Sequence, residues 1–303
     1  MPSAEPIRAA AEASAEIVES YLEELSSKRL SASSLRQARH VLERLLFFLG
    51  EVELHAVREE DLLRFAATLR ALSLGTRRAY LGIVRRFFAA LVRHGWLLAS
   101  PAEGLRPPGV QALPRRVPSR TQMAKLLGRA GRWSLTAERD RAILEVLYGS
   151  GLRRSECAQL DLGDLDLGQG TLWVRCGKGR KGRVVPLTGR AIGALGAYLR
   201  ENRPSLALDP RERGLFLSER AGRRLTDSGL AKVVRREALA AGIPVSAHGL
   251  RHACATHLLQ GGADVRLIQK LLGHAKLATT SLYTRVDTSD LAAMLRRCHP
   301  RER

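Results

Sequence analysis

Aromatic and sulfur-bearing residues are scarce in this chain. Phe, Trp and Tyr make up 5% of its 303 residues, beside three Met and four Cys. So few rings, with no stacking-aromatic motif among them, argue against a general RNA-binding protein. The cysteines, Cys157, Cys176, Cys254 and Cys298, form no CxxC pair. That spacing offers neither a zinc ribbon nor a disulfide framework, so reduced thiols in a cytoplasmic protein are expected. No apolar run approaches the roughly 20 residues that cross a bilayer, and the N-terminus has no apolar signal core. No membrane partner is expected. Internal repeats and low-complexity tracts are also missing, apart from a bias toward Ala and Arg.

Acidic residues are the other shortage. Thirty Asp and Glu face 50 Lys and Arg, which leaves a net charge of +20. Such an excess points to a polyanion, nucleic acid first, although a composition-biased genome would also make a basic chain. Hydrophobic residues at 45% suffice for real cores, and the length suits one large or two ordinary domains.

The first 12 residues read as a frayed, small-residue end. Helical periodicity then predicts four helices: residues 13–25, 35–49, 59–72 and 76–94, with a serine-rich break at 31–34 and stops at Gly50 and Gly95. In the fourth, Tyr80, Val84, Phe87 and Leu91 form an apolar stripe. Arg78 and Arg85 share the opposite face with Arg93 close to it, a candidate DNA-binding surface. Solvation of an exposed face is the plainer reading of these arginines. Residues 13–100 thus make a small all-α domain. Residues 101–118 hold five prolines with Arg106, Arg115 and Arg116, and read as an extended basic linker. Two units joined this way suit a clamp around a duplex.

The second domain runs over residues 119–303. Helices are expected at 121–130 and 137–148, followed by GSGLRRSECAQL at 149–160, where two glycines frame a turn, Arg153 follows, and Ser155 and Glu156 open a helix. DLGDLDLGQG reads as loop and turn, since it lacks the acidic ligand an EF-hand needs. Residues 171–176 and 183–187 read as two strands around GKGRKG, a hairpin turn carrying Lys178 and Lys181. That turn lacks the spacing of a phosphate-cradling P-loop. Helices at 189–200 and from a Thr226 cap to 241 come next, with a short extended piece at 215–217. The chain closes with an amphipathic helix at 290–298 and a basic tail, HPRER. This last helix offers a face for docking on a neighbouring subunit; packing within its own domain is the alternative.

The richest stretch is residues 248–283. Ser246 caps a first helix on which His248 and Arg251, three apart, share one face. Gly261 and Gly262 end it, Asp264 caps a second, Gly273 stops that one, His274 follows and Tyr283 comes nine residues later. Two imidazoles, a guanidinium and a phenol that converge are suited to holding a phosphate and attacking it. Zinc binding by His248, His252 and His257 fits the spacing alone, with no metalloenzyme motif beside it.

GLRRSE, GKGRKGRVVPL, HGLRHACATHLL and LLGHAKLATTSLYTRV, in that order, resemble the motif set of the tyrosine recombinases, the Xer type and related integrases above all. The resemblance covers about residues 13–290. It implies an α-helical, SAM-like core-binding domain and a mostly helical catalytic domain with a small antiparallel sheet. By the same resemblance, Arg153, Lys178, His248, Arg251, His274 and the nucleophile Tyr283 are catalytic, and Glu156 supports Arg153. It further implies double-stranded DNA with an inverted-repeat site as partner, a homotetramer exchanging strands through a Holliday junction, and chromosome-dimer resolution, with a second recombinase or a DNA translocase as further partners. No cofactor or metal is called for. Arg154 departs from the small apolar residue usual there, and the LRRCHPRER end is more like element-borne integrases. A relaxing topoisomerase would share the chemistry but not the motif spacing. A catalytically silent DNA-binding regulator would not need all these residues intact.

Overall fold

The computed structural model describes residues 4–28 (side chains from 13), 30–109, 117–130, 136–175, 182–273 and 287–302. The chain divides into two compact units, Met1–Pro114 and Arg115–Arg303.

The first unit holds α1 (Ala4–Ser27), α2 (Ala32–Leu49), α3 (Glu59–Thr68) and α4 (Leu74–Arg93). The first helix starts at Ala4, nine residues before the expected 13, because its opening turns are rich in alanine, the best helix former. Ser31 and Ser73 cap α2 and α4 by accepting from Ser34 N and Thr76 N. The apolar stripes then meet: Val41, Leu42 and Leu45 of α2, Phe65 of α3 and Val84, Phe87 and Phe88 of α4 have no exposed surface. Tyr21 packs edge-on to Phe87 with ring centroids 5.3 Å apart. Ala102 and Leu105, in the stretch expected as linker, are also buried in this core.

The second unit holds α5 (Arg120–Arg129), α6 (Ala137–Gly149), α7 (Arg154–Ala158), β1 (Leu165–Asp166), β2 (Thr171–Val174), β3 (Arg183–Pro186), α8 (Gly189–Ala197), α9 (Arg203–Leu206), α10 (Asp227–Ala241), α11 (Ala247–Gln260), α12 (Val265–Leu272) and α13 (Thr288–Cys298). The sheet is antiparallel, ordered β1-β2-β3, with Leu165 opposite Leu172 and Trp173 opposite Val184. Its first strand lies where a loop was expected; two residues are too few to show an alternating pattern. Helix α6 is the centre, with Ile143, Leu144, Val146, Leu147 and Tyr148 fully buried.

The terminal helix packs within its own domain. Leu291, Met294, Leu295 and Cys298 of α13 join the same core. The tail is not a free basic end either. Arg301 pairs with buried Glu145 of α6, His299 has no exposed surface, and Glu302 Oε1 accepts from Gly189 N at 3.1 Å. Among the described residues no helix is long and apolar enough to cross a membrane.

Candidate active site

Two left-handed glycines bring distant segments together. Gly151, after α6, has φ +59, and a Cβ there would lie 2.6 Å from Leu272 Cδ2. Gly273, after α12, has φ +66. Only glycine suits both demands at Gly151, the backbone angle and the space. The turns present carbonyls to α11, whose start is capped by Ser246 accepting from Gly249 N. Arg251 of that helix donates Nη1 to Gly151 O and Nη2 to Leu272 O, each at 2.7 Å. It is 6% exposed. His248, one turn earlier on α11, is exposed.

Arg153 is the N-cap residue of α7. Its backbone N and its Nη1 both donate to Glu156, at 2.8 Å, and its Nη2 donates to Gly273 O at 3.1 Å. The same carboxylate receives Arg183, a residue read from sequence only as part of a strand. Its Nη1 and Nη2 reach Oε1 and Oε2 of Glu156 at 3.0 Å each. No local pattern marks Arg183, because its partner lies on another element 27 positions away. Arg154, the departure noted in the motif, forks onto Asp227 of α10 and so points away from this cluster.

Charge follows from this geometry. Burial would raise the Glu156 pKa, but Arg183 and Arg153 outweigh it and hold the carboxyl below its ordinary value. Burial, and then the nearby Arg153 charge, lower Arg251 to about 10. It therefore stays protonated at neutral pH, at a cost that a further anion would relieve. Arg153 and Arg183 share one carboxylate, and Arg251 beside them is held by two carbonyls, so three guanidiniums face a single carboxylate charge and the cluster suits a phosphate.

Lys178, Lys181, His274 and Tyr283 lie outside the described residues. On α4, Arg78 and Arg85 are exposed and make no ion pair among the described residues, opposite buried Val84, Phe87 and Leu91. Arg93 lies 3.8 Å from Glu24, which His94 also contacts at 3.0 Å, so part of its charge is answered within the unit. His257 faces the core, its Nδ1 2.7 Å from the buried Tyr148 hydroxyl, while His252 is exposed. That divides the histidine set considered for zinc.

Comparison with known proteins identifies the family. Residues 119–290 match the phage integrase family, and residues 18–95 match the phage integrase N-terminal SAM-like domain. Tyrosine recombinase XerC 2 of Ralstonia nicotianae is 41% identical over 232 residues, 76% of this chain and 66% of that protein. Tyrosine recombinase XerC of Azotobacter vinelandii is 42% identical over 226 residues, 74% of this chain and 73% of that one. The lambda integrase tetramer bound to a Holliday junction shares the fold, with a TM-score of 0.67 at 15% identity over 90% of this chain and 79% of that one. The chain belongs to the phage integrase family and is a Xer-like tyrosine site-specific recombinase.

Proposed function

We propose that this recombinase cuts and rejoins double-stranded DNA through a 3′-phosphotyrosyl intermediate, with Arg153 and Arg251 as the clamp on the scissile phosphate. The observation that carries this is the charge of the cluster: Arg153 is held by Glu156 and the Gly273 carbonyl, and Arg251 by two carbonyls alone. A phosphodiester bears one charge and gains more in the phosphorane-like transition state, so fixed guanidiniums bind that state more tightly. Arginine suits the task because it stays ionised and presents a fork.

The Tyr283 oxygen forms a bond to phosphorus while the bond to the 5′ oxygen breaks. Only about 0.1% of a phenol with a pKa near 10 is ionised at neutral pH. His248 takes the phenolic proton, Lys178 gives one to the departing 5′ oxygen, and His274 donates to a non-bridging oxygen. Ester energy is kept in the phosphotyrosine, so the reverse attack by a 5′ hydroxyl rejoins DNA without ATP. Exposed Arg78 and Arg85, with Arg93 and Lys181, contribute contacts to the DNA backbone. The two relatives named XerC favour chromosome-dimer resolution over integration of a mobile element. A lambda integrase of the same fold forms a tetramer on a Holliday junction, which supports a tetramer here; the inverted-repeat site is what the motif resemblance implies.

Covalent trapping tests this reading. Purified protein is mixed with nicked genomic fragments in EDTA, denatured with SDS, and the adducts are sequenced, with Tyr283→Phe in parallel. The expected result is adducts at one inverted-repeat site near the replication terminus, absent from the variant. Adducts at the end of a mobile element would reassign the biological role. Folded, DNA-binding protein that forms no Tyr283-dependent adduct would refute the chemistry.

A further inference from the structure

One guanidinium without a role in the proposed chemistry, that of Arg183, ties three parts of the site together. Arg183 opens β3, two positions after Lys181 of the lysine-bearing turn. Its fork covers both oxygens of Glu156, and its Nε donates to Leu271 O at 3.3 Å, near the end of α12. The side chain is 16% exposed. A Cβ added to Gly273 would lie 3.0 Å from the guanidinium carbon, so Arg183 rests directly against the turn that leads to His274. Gly273 also supplies the carbonyl that Arg153 Nη2 grips. Strand β3, the carboxylate of α7 and the end of α12 therefore meet at one planar group.

Competition for Glu156 gives this arrangement a consequence. A carboxylate facing one arginine alone tends to close a two-bond fork on it. Here Arg153 reaches Glu156 through a single side-chain nitrogen, Nη1, while its Nη2 goes to Gly273 O. We propose that Arg183 is a positioning residue for DNA cleavage: by occupying both oxygens of Glu156 it stops that carboxylate from capturing Arg153, and it fixes the Gly273 turn against which Arg153 is aligned. The inference rests on the reading of Arg153 as a phosphate ligand. Arg183 itself acts through Glu156 and Arg153 and does not touch the phosphate.

The test uses the full chain and a nicked DNA carrying the trapped site. Four variants are compared with wild type: Arg183→Met, Arg183→Lys, Glu156→Gln, and Arg183→Met combined with Glu156→Gln. Single-turnover adduct formation at saturating DNA, DNA affinity and thermal melting are measured. Arg183→Met should slow adduct formation about 100-fold, the scale of a misplaced reacting group, with DNA affinity unchanged. Arg183→Lys should fall between, since an ammonium cannot reproduce the fork. The double variant should be faster than Arg183→Met, because an amide has no charge with which to capture Arg153. Arg183→Met cleaving at the wild-type rate overturns the inference alone. A slow Arg183→Met that melts early and gains nothing from Glu156→Gln also overturns it, in favour of a purely structural bond. Wild type that yields no Tyr283-dependent adduct overturns the reading of the site and this inference with it.

Discussion

Glu156 sets the charge balance of the site, and its titration should be visible in stability. A carboxylate held below its ordinary pKa contributes stability that is fully present above the unfolded value, about 4.3, and is lost as pH falls through the folded value. Wild type should therefore exceed Glu156→Gln in urea midpoint by a constant margin above about pH 5, and that margin should shrink below about pH 4.3. A margin independent of pH would mean that the carboxylate charge contributes nothing to the fold. The Arg153–Glu156 pair was legible through the motif resemblance. Arg183 was not, because its value lies in a side chain shared across elements rather than in any local pattern.

Helix ends were the most readable elements. Ser246, Asp264 and Gly273 cap their helices as their positions predict, since capping depends only on neighbouring residues. The placement of α13 was open in sequence, for an amphipathic stripe fits any apolar surface. What decides it is contact with α11's end. A Cβ on Gly261 would lie 2.4 Å from the Cys298 carbonyl oxygen. Gly261→Ala should thus cost about 1–3 kcal/mol by overpacking, although its φ of −81 strains nothing. Gly128→Ala, inside α5 with open space around it, should instead stabilise by roughly 0.5–1 kcal/mol. Urea denaturation of both variants checks the pair; equal effects would show that α13 is not pressed against Gly261.

Across the whole molecule, the charge excess governs how binding responds to salt. A net charge of +20 with exposed Arg78 and Arg85 predicts a steep fall of DNA affinity with ionic strength. Replacing both with Ala should lower the slope of log affinity against log salt by about 2, with affinity weakened alike for specific and unrelated DNA. Fluorescence anisotropy from 50 to 300 mM salt (on the order used for such slopes) measures this. An unaltered slope would return these arginines to the role of a solvated face.

Local chemistry was enough for the broad outcome. Periodicity placed the main helices, and caps and glycines set their ends, because each depends on residues a few positions apart; the reaction came from the resemblance that four separated motifs carry together. The first strand, the packing of α13 and the bonds of Arg251 depended on the fold. Arg251 and Gly151 are 100 positions apart, and Arg153 and Gly273 are 120 apart. Such pairs form only when packing around α6 brings the two glycine turns together. Burial then sets the energies: the same Arg251 that is an ordinary cation in an extended chain becomes, once enclosed beside Arg153, a charge that favours an incoming anion.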